Sequence, residues 1–414
     1  MTLLHEDQSE HVEPKDFATE LTEALAPLRM GLSRMLAEWG SPKSPSELDK
    51  LSGAGFTNCW RVFQVVGSGD FLSRVGRAPT PSSLKLLLAA GTRQGVKPQT
   101  AQNVERAARE FQQFVKRNAK DRAAFESMLA GISGDESTEK IQMSQRRGAY
   151  RNLSHIWGIQ VDLQFGCLMA RRSADGAAAD MVRLHSLRGI RRLRPGSQIT
   201  LFAYHQNPSF TPGAMQMEGA IDAEAAARYE MPLLPQFCTD PVPPVEKIVL
   251  PSGWVTYNTV GSDIGPRADI GCAFGRIVRD APFMIDVGAI GGGRRLFHST
   301  LNHTRKPVEM LIQELLVHRD SFPGIRPELI VYQYSEGERT QESARRAMQF
   351  PVDEKLTNEG RADRAELADV PNYARMLRLG ADAAGWDLAE FDVYRVRMPY
   401  PIMFSATRIF FYVD

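Results

Sequence analysis

Between residues 16 and 39, apolar side chains recur at Phe17, Leu21, Leu25, Leu28, Leu32 and Leu36, the spacing of a helix that buries one face. Pro27 interrupts this stretch and Gly40 closes it, so one kinked helix or two short ones are expected. In the segment that follows, Ser44 or Ser46 is placed to cap a short helix carrying Leu48 and Leu51. Gly53 and Gly55 then supply a sharp turn, Thr57 is placed to cap a second helix, and Gly67 ends it. Helical spacing resumes at residues 82 to 94 and 98 to 116, the latter with Val104, Ala108, Phe111 and Val115 on one face. Residues 131 to 147 are polar and rich in turn formers.

Beyond Arg147 the pattern changes to short apolar runs bounded by turn residues. These predict strands at 159 to 169, 198 to 204, 254 to 259, 270 to 278, 283 to 290, 329 to 334, 393 to 398 and 406 to 413. Helices are expected at 177 to 192, 307 to 318 and 371 to 384. The expected fold class is therefore α+β and multidomain: an N-terminal all-helical domain (1 to 130), a linker (131 to 147), and a mixed, mainly antiparallel α+β domain (148 to 414). A proline-rich connector at 231 to 247 would join two halves of the second domain, and the charged stretch from 336 to 369 reads as an exposed insertion. A helix-to-strand echo between residues 181 to 204 and 310 to 334 rests on turn residues alone, and duplication or coincidence explains it equally well.

The length, 414 residues, is ample for a large core, and 43% apolar with 24% charged residues is the composition of an ordinary globular protein. No apolar run approaches the roughly 20 residues needed to span a bilayer, and the first residues lack the basic and apolar regions of a secretory leader. Cys59, Cys167, Cys238 and Cys272 stand apart without CxxC spacing, which argues against a zinc module or disulfide framework and for a cytoplasmic location. The net charge of +1 conceals an uneven distribution. Residues 41 to 122 hold fourteen Lys and Arg against six Asp and Glu, a balance of +8, whereas residues 1 to 40 are acidic. A compact basic helical unit is one signature of a nucleic-acid binder.

On a wheel of about 100° per residue, Cys59, Val62, Phe63 and Val66 form one apolar arc, while Asn58, Arg61 and Gln64 fall on the outer side. Arg suits guanine O6 and N7, and Asn or Gln suits adenine N6 and N7. Lys43, Arg74, Arg77 and Lys85 flank the segment as candidate phosphate contacts. Residues 46 to 66, and above all TNCWRVFQ, resemble the helix-turn-helix of uncharacterised bacterial regulator-like proteins. The resemblance covers about twenty residues and departs from the family pattern at Asp49 or Lys50, where a small residue is usual, just after the turn glycine, where an apolar residue is usual and the chain has only Ala54, and at the second glycine, Gly55. It implies DNA as partner, a homodimer matched to a two-part site, a sensor region open to a small-molecule effector, and no cofactor. Packing of Trp60 and Phe63 in a helical bundle, with Arg61 and Gln64 as solvated surface, is the alternative.

The remaining constellations are weaker. Arg183, Arg188, Arg191, Arg192 and Arg194 crowd the end of the helix expected at 177 to 192, where cations complement the macrodipole. The glycine-rich run from Gly288 to Ser299 matches no phosphate-loop spacing and reads as a hairpin or bulge. His298, His303, Glu314 and His318 form the one histidine and carboxylate grouping, with Glu314 and His318 on one face of the expected helix at 307 to 318. It lacks HExxH, so no metal site is expected, and an enzyme centred there, or a scaffold protein, stands as the alternative to a DNA-binding regulator. Cys167 and Cys272 lie in apolar strands, where a thiol is ordinarily inert packing.

Overall fold

A computed structural model of the chain describes residues 16–67, 75–76, 78–121, 124–126, 128–129, 136–205, 219–261, 263–265, 269–285, 295–333 and 348–413. The chain divides into two compact units, Met1–Ser144 and Gln145–Asp414. The first is helical and the second rich in sheet, so the protein is α+β.

In the first unit, α1 (Phe17–Glu38), α2 (Pro45–Ser52), α3 (Phe56–Val66), α4 (Pro81–Arg93) and α5 (Pro98–Asn118) follow in order. Asp16 caps α1, its carboxylate accepting the Thr19 N–H at 2.7 Å. Pro27 lies inside α1 on the exposed side, and the helix continues through it. Leu21, Leu25, Leu28 and Leu32 are buried in one core with Val104, Ala108 and Phe111 of α5. The N-terminus of α5 has no cap of its own, and Glu38 at the end of α1 supplies one by accepting from the Lys97 N–H (3.0 Å) and the Thr100 hydroxyl (2.9 Å). Those bonds, the Lys97 N–H foremost, hold the Glu38 carboxyl below its ordinary pKa.

α6 (Glu136–Trp157) spans the boundary between the units and leads, in the second, into β1 (Ile159–Arg172) and β2 (Ala178–Arg192). Then come β3 (Thr200–His205), α7 (Ala223–Tyr229), β4 (Val245–Val249), β5 (Trp254–Thr259), β6 (Ile270–Pro282), β7 (Met284–Ile285), β8 (Arg295–His303) and β9 (Val308–His318). The chain ends with β10 (Glu328–Gln333), β11 (Thr357–Arg361), α8 (Tyr373–Ala384), β12 (Phe391–Pro399) and β13 (Ser405–Val413). The strands form a six-stranded sheet in the order β11-β12-β9-β1-β2-β6, a four-stranded sheet β10-β13-β8-β7 and a three-stranded sheet β3-β5-β4. Every named pair is antiparallel except β1 with β9.

One face of the six-stranded sheet packs Phe165, Val182, Leu184 and Ile312 against Met376, Leu377 and Ala381 of α8. The opposite face sets Leu168, Leu315 and Val396 against Ile409 and Phe411 of β13 in the four-stranded sheet. The three-stranded sheet contributes Phe202, Val255 and Tyr257 to a third core with Ile190 and Phe274.

Several expectations are corrected. Residues 177 to 192 and 307 to 318 are not helices; they form β2 and β9. Both strands are covered on two faces, so their apolar positions lose the alternation that marks a half-exposed strand. From Glu136 the expected polar linker is already helical. The proline-rich segment packs along β6 with Leu233, Leu234 and Phe237 buried. Within the charged stretch, residues 357 to 361 make β11, and Ala362, Ala365 and Leu367 reach the core.

Two glycines in the second unit test the packing in opposite directions. A Cβ at Gly166 of β1 would lie 2.4 Å from Asn302 Nδ2 and 3.1 Å from its Cγ, so the buried Asn302 side chain would have to shift. Gly166→Ala is expected to destabilise by about 1–3 kcal/mol. Gly148, inside α6 with nothing within 4 Å of its Cβ position, should instead gain about 0.5–1 kcal/mol as alanine. Thermal unfolding of the two variants against the parent chain gives both signs.

Candidate functional site

The segment carrying the sequence resemblance is built by local hydrogen bonds. Ser44 caps α2, its hydroxyl accepting from the Glu47 N–H at 3.2 Å, and the Glu47 carboxylate reaches back to the Lys43 N–H at 2.7 Å. Gly53 ends α2 with φ +64°, and its N–H bonds the Asp49 carbonyl at 2.7 Å. Asp49 turns its carboxylate to the Gly55 N–H at 2.8 Å, and the Ser52 hydroxyl accepts from the Ala54 N–H at 3.2 Å. Gly55, at φ +89°, is the N-cap of α3 in place of the expected Thr57. Two of the departures noted in the sequence, Asp49 and Gly55, thus have one cause: together they make this turn.

Cys59, Val62 and Val65 anchor α3 in the core, and Phe63 and Val66 pack partly against it. Val65 therefore joins the inner face beside the expected arc. Arg61 and Gln64 are half-exposed. Asn58 is also half-exposed, and its amide donates to the Ala54 carbonyl at 2.8 Å, which fixes the side chain across the turn. Lys43 and Lys85 are exposed; Arg74 and Arg77 lie outside the described residues. Beside the turn, Phe56 is 53% exposed at the start of α3.

The histidine and carboxylate grouping of the second unit does not converge. Glu314 stands on the central strand β9, fully buried and facing α8. Register places Arg395 of β12 on one side of it and Cys167 of β1 on the other. Its carboxylate accepts from Arg395 Nε at 2.6 Å and from the Tyr373 hydroxyl at 3.0 Å, while Arg395 Nη1 reaches Glu359 at 3.0 Å and the Glu366 carbonyl at 3.1 Å. Burial pushes the Glu314 carboxyl from 4.5 up to about 7, against the pull of Arg395 and Tyr373. Burial, and then the Glu314 charge, pushes the Tyr373 phenol and the Cys167 thiol upward, so both keep their protons.

His303 sits on β8 in the other sheet, and burial, followed by Arg305, lowers it to about 3. The His298 side chain lies outside the described residues. His318 Nδ1 accepts the Ser321 N–H at 3.1 Å, which leaves the proton on Nε2 to meet Glu390 at 3.2 Å. This ring closes a turn. Among the described residues no group of three His, Cys, Asp or Glu side chains is placed to hold a metal ion.

Four of the five clustered arginines are engaged by structure, Arg188, Arg191 and Arg192 on β2 where a helix end was expected and Arg194 just beyond it. Arg191 grips the Asp162 carboxylate with two nitrogens, and buried Arg192 donates to the Ser197 carbonyl (2.8 Å) and the Thr259 hydroxyl (2.9 Å). Arg188 donates to the Phe237 carbonyl at 3.3 Å, and Arg194 to the Ile156 carbonyl. In the glycine-rich run, β8 begins at Arg295 and the preceding glycines lie outside the described residues. The partners of Glu314 were invisible in the sequence because they arrive from a helix and a strand 59 and 81 residues away. Among the described residues no helix is long and apolar enough to cross a membrane.

No known protein family, curated protein or solved structure matches the chain.

The Glu314 cluster makes stability depend on pH. A carboxyl at 4.5 in the unfolded chain and about 7 in the fold binds its proton more tightly when folded. Its contribution is then fully present below about 4.5 and is lost as pH rises through about 7. Denaturant unfolding between pH 5 and 8 should show this decline, and Glu314→Gln should flatten it. Arg395→Met, which leaves the carboxylate without its cation, should cost about 3–5 kcal/mol at pH 8.

Proposed function

We propose that the chain is a sequence-specific DNA-binding regulator whose first unit reads DNA through α2 and α3. The observation that carries this reading is the turn at residues 53 to 55: it joins an eight-residue helix to an eleven-residue helix. The second of these is anchored by Cys59, Val62 and Val65 and keeps Arg61 and Gln64 accessible. The surrounding +8 balance over residues 41 to 122 supplies the attraction to phosphate.

In this mechanism α3 enters the major groove. Arg61 bonds guanine O6 and N7, and Gln64 bonds adenine N6 and N7. Asn58, with its amide held by Ala54, offers its remaining polar atoms from a fixed position. Lys43 and Lys85, with Arg74 and Arg77, take phosphates and set the register without reading bases. The second unit supplies dimerisation or effector sensing, and a homodimer would place two α3 helices about 34 Å apart on a two-fold symmetric site.

The test is selection of binding sites from random duplexes at moderate salt, followed by titration of variants on the enriched site. Arg61→Ala should cost about 1–3 kcal/mol on that site and leave weak binding to unrelated duplex nearly unchanged. Lys43→Ala or Lys85→Ala should weaken binding to every sequence alike and reduce the slope of log affinity against log salt by about 0.9 per lost contact. A selection that enriches no site, with Arg61→Ala indistinguishable from the parent, would return α3 to the role of a bundle helix.

A further inference from the structure

Cys238 and Cys272, remote in sequence, meet in the second unit. After α7 the chain runs antiparallel beside β6: Leu233 bridges Phe274, and the Leu234 N–H bonds the Ala273 carbonyl at 2.8 Å. A short 3-10 turn at Pro235–Phe237 then shifts the register, and the Thr239 N–H bonds the Gly271 carbonyl at 2.9 Å. One residue back along that register Cys238 stands opposite Cys272, both packed in the core that the three-stranded sheet covers, and the Cys238 thiol donates to the Leu234 carbonyl at 3.3 Å. Cys272 is fully buried, whereas Cys238 is half-exposed. Both are free thiols. Arg188 of β2, held by the Phe237 carbonyl, brings its positive charge to the same place.

We propose that Cys238 and Cys272 form a redox-active dithiol that reacts with peroxide, Cys238 attacking and Cys272 resolving. The thiolate of Cys238 attacks one peroxide oxygen; the O–O bond breaks, hydroxide leaves, and Cys238 becomes a sulfenic acid. The Cys272 sulfur then attacks the Cys238 sulfur, the S–O bond breaks, and water leaves with the Cys272 proton as the disulfide forms. Two thiols lose two electrons and the peroxide is reduced to water. The division of labour follows from the surroundings. The neighbouring Cys272 thiol foremost, and then the Ala273 backbone and the Arg188 charge, bring the Cys238 thiol below its ordinary value against the effect of burial. The neighbouring Cys238 thiol and burial push Cys272 up, so it keeps its proton until the disulfide forms. Cys59 and Cys167 differ: both are buried, and burial raises their thiols. The dithiol is independent of whether the first unit reads DNA.

The full-length reduced protein is treated with hydrogen peroxide under native conditions, then denatured, and its remaining thiols are blocked and counted. The expected result is two thiols remaining of the four, a chain lighter by two hydrogen atoms, and a linked pair of peptides containing Cys238 and Cys272 that dithiothreitol separates. Cys272→Ser should halt the reaction at Cys238 sulfenic acid, captured by a dimedone reagent, and Cys238→Ser should leave Cys272 reduced. Retention of all four thiols by the parent chain, or a linkage between any other pair, would overturn the proposal whatever the variants do.

Discussion

The second unit depends on one strand being covered on both sides. β9 lies between β12 and β1, with α8 over one face and β13 over the other, and its residues from Leu311 to His318 are all buried. A carboxylate in such a position has no water, and solvation must come from the protein. Arg395, Tyr373 and the adjacent strand register supply it: the same pairing that orders β12 beside β9 delivers the guanidinium to Glu314. A one-residue slip of β12 would turn Arg395 to the apolar layer between the sheets and leave two buried charges without partners. The ion cluster therefore selects register, a role in specificity that is separate from its net contribution to stability.

Legibility followed burial. Helices α1 and α5 could be read because each has a wet face, so the apolar spacing of Leu21, Leu25, Leu28 and Leu32 stood out against polar neighbours. Strands β5 and β12 were equally plain. β2 and β9 were misread because two-sided burial removes the alternation, and runs such as MLIQELLVH satisfy helical spacing as well as any strand pattern. Length did not separate the two readings, since β2 and β9 span 15 and 11 residues. The misreading propagated to chemistry. Glu314 and His318 do share a face, but four residues of strand separate them by roughly 13 Å, where one helical turn would have brought them together.

The turn between α2 and α3 shows the opposite relation. There the structure is local, and Ser44, Gly53 and Gly55 mark its boundaries within the sequence itself. What the sequence could not show was the use made of Asp49 and Asn58, which looked like a pattern mismatch and a base-reading side chain. The Asp49 carboxylate bonds the Gly55 N–H, and the Asn58 amide bonds the Ala54 carbonyl, so each stabilises backbone that glycine alone would leave loose. Arg61 and Gln64 then project from a helix whose start is fixed from both ends. That pre-organisation is what direct readout requires, because a bidentate contact tolerates little error in the angle of the helix that presents it.

The dithiol lies where neither local pattern nor strand periodicity could reveal it. Cys272 is on β6 and Cys238 on the irregular segment beside it, and their meeting depends on the register shift made by the 3-10 turn at Pro235–Phe237. Without that turn, the register set by Leu233 and Phe274 would carry Cys238 past the end of β6. The position also has mechanical consequences. Phe237 and Leu234 belong to the core under α8, while Cys272, Leu233 and the Cys238 side chain belong to the core under the three-stranded sheet, so the segment that carries Cys238 runs where the two cores join. A bond between the two sulfurs would pin the segment to β6 beside this junction, and the half-exposed Cys238 thiol would then link the surroundings of the protein to the core under the three-stranded sheet.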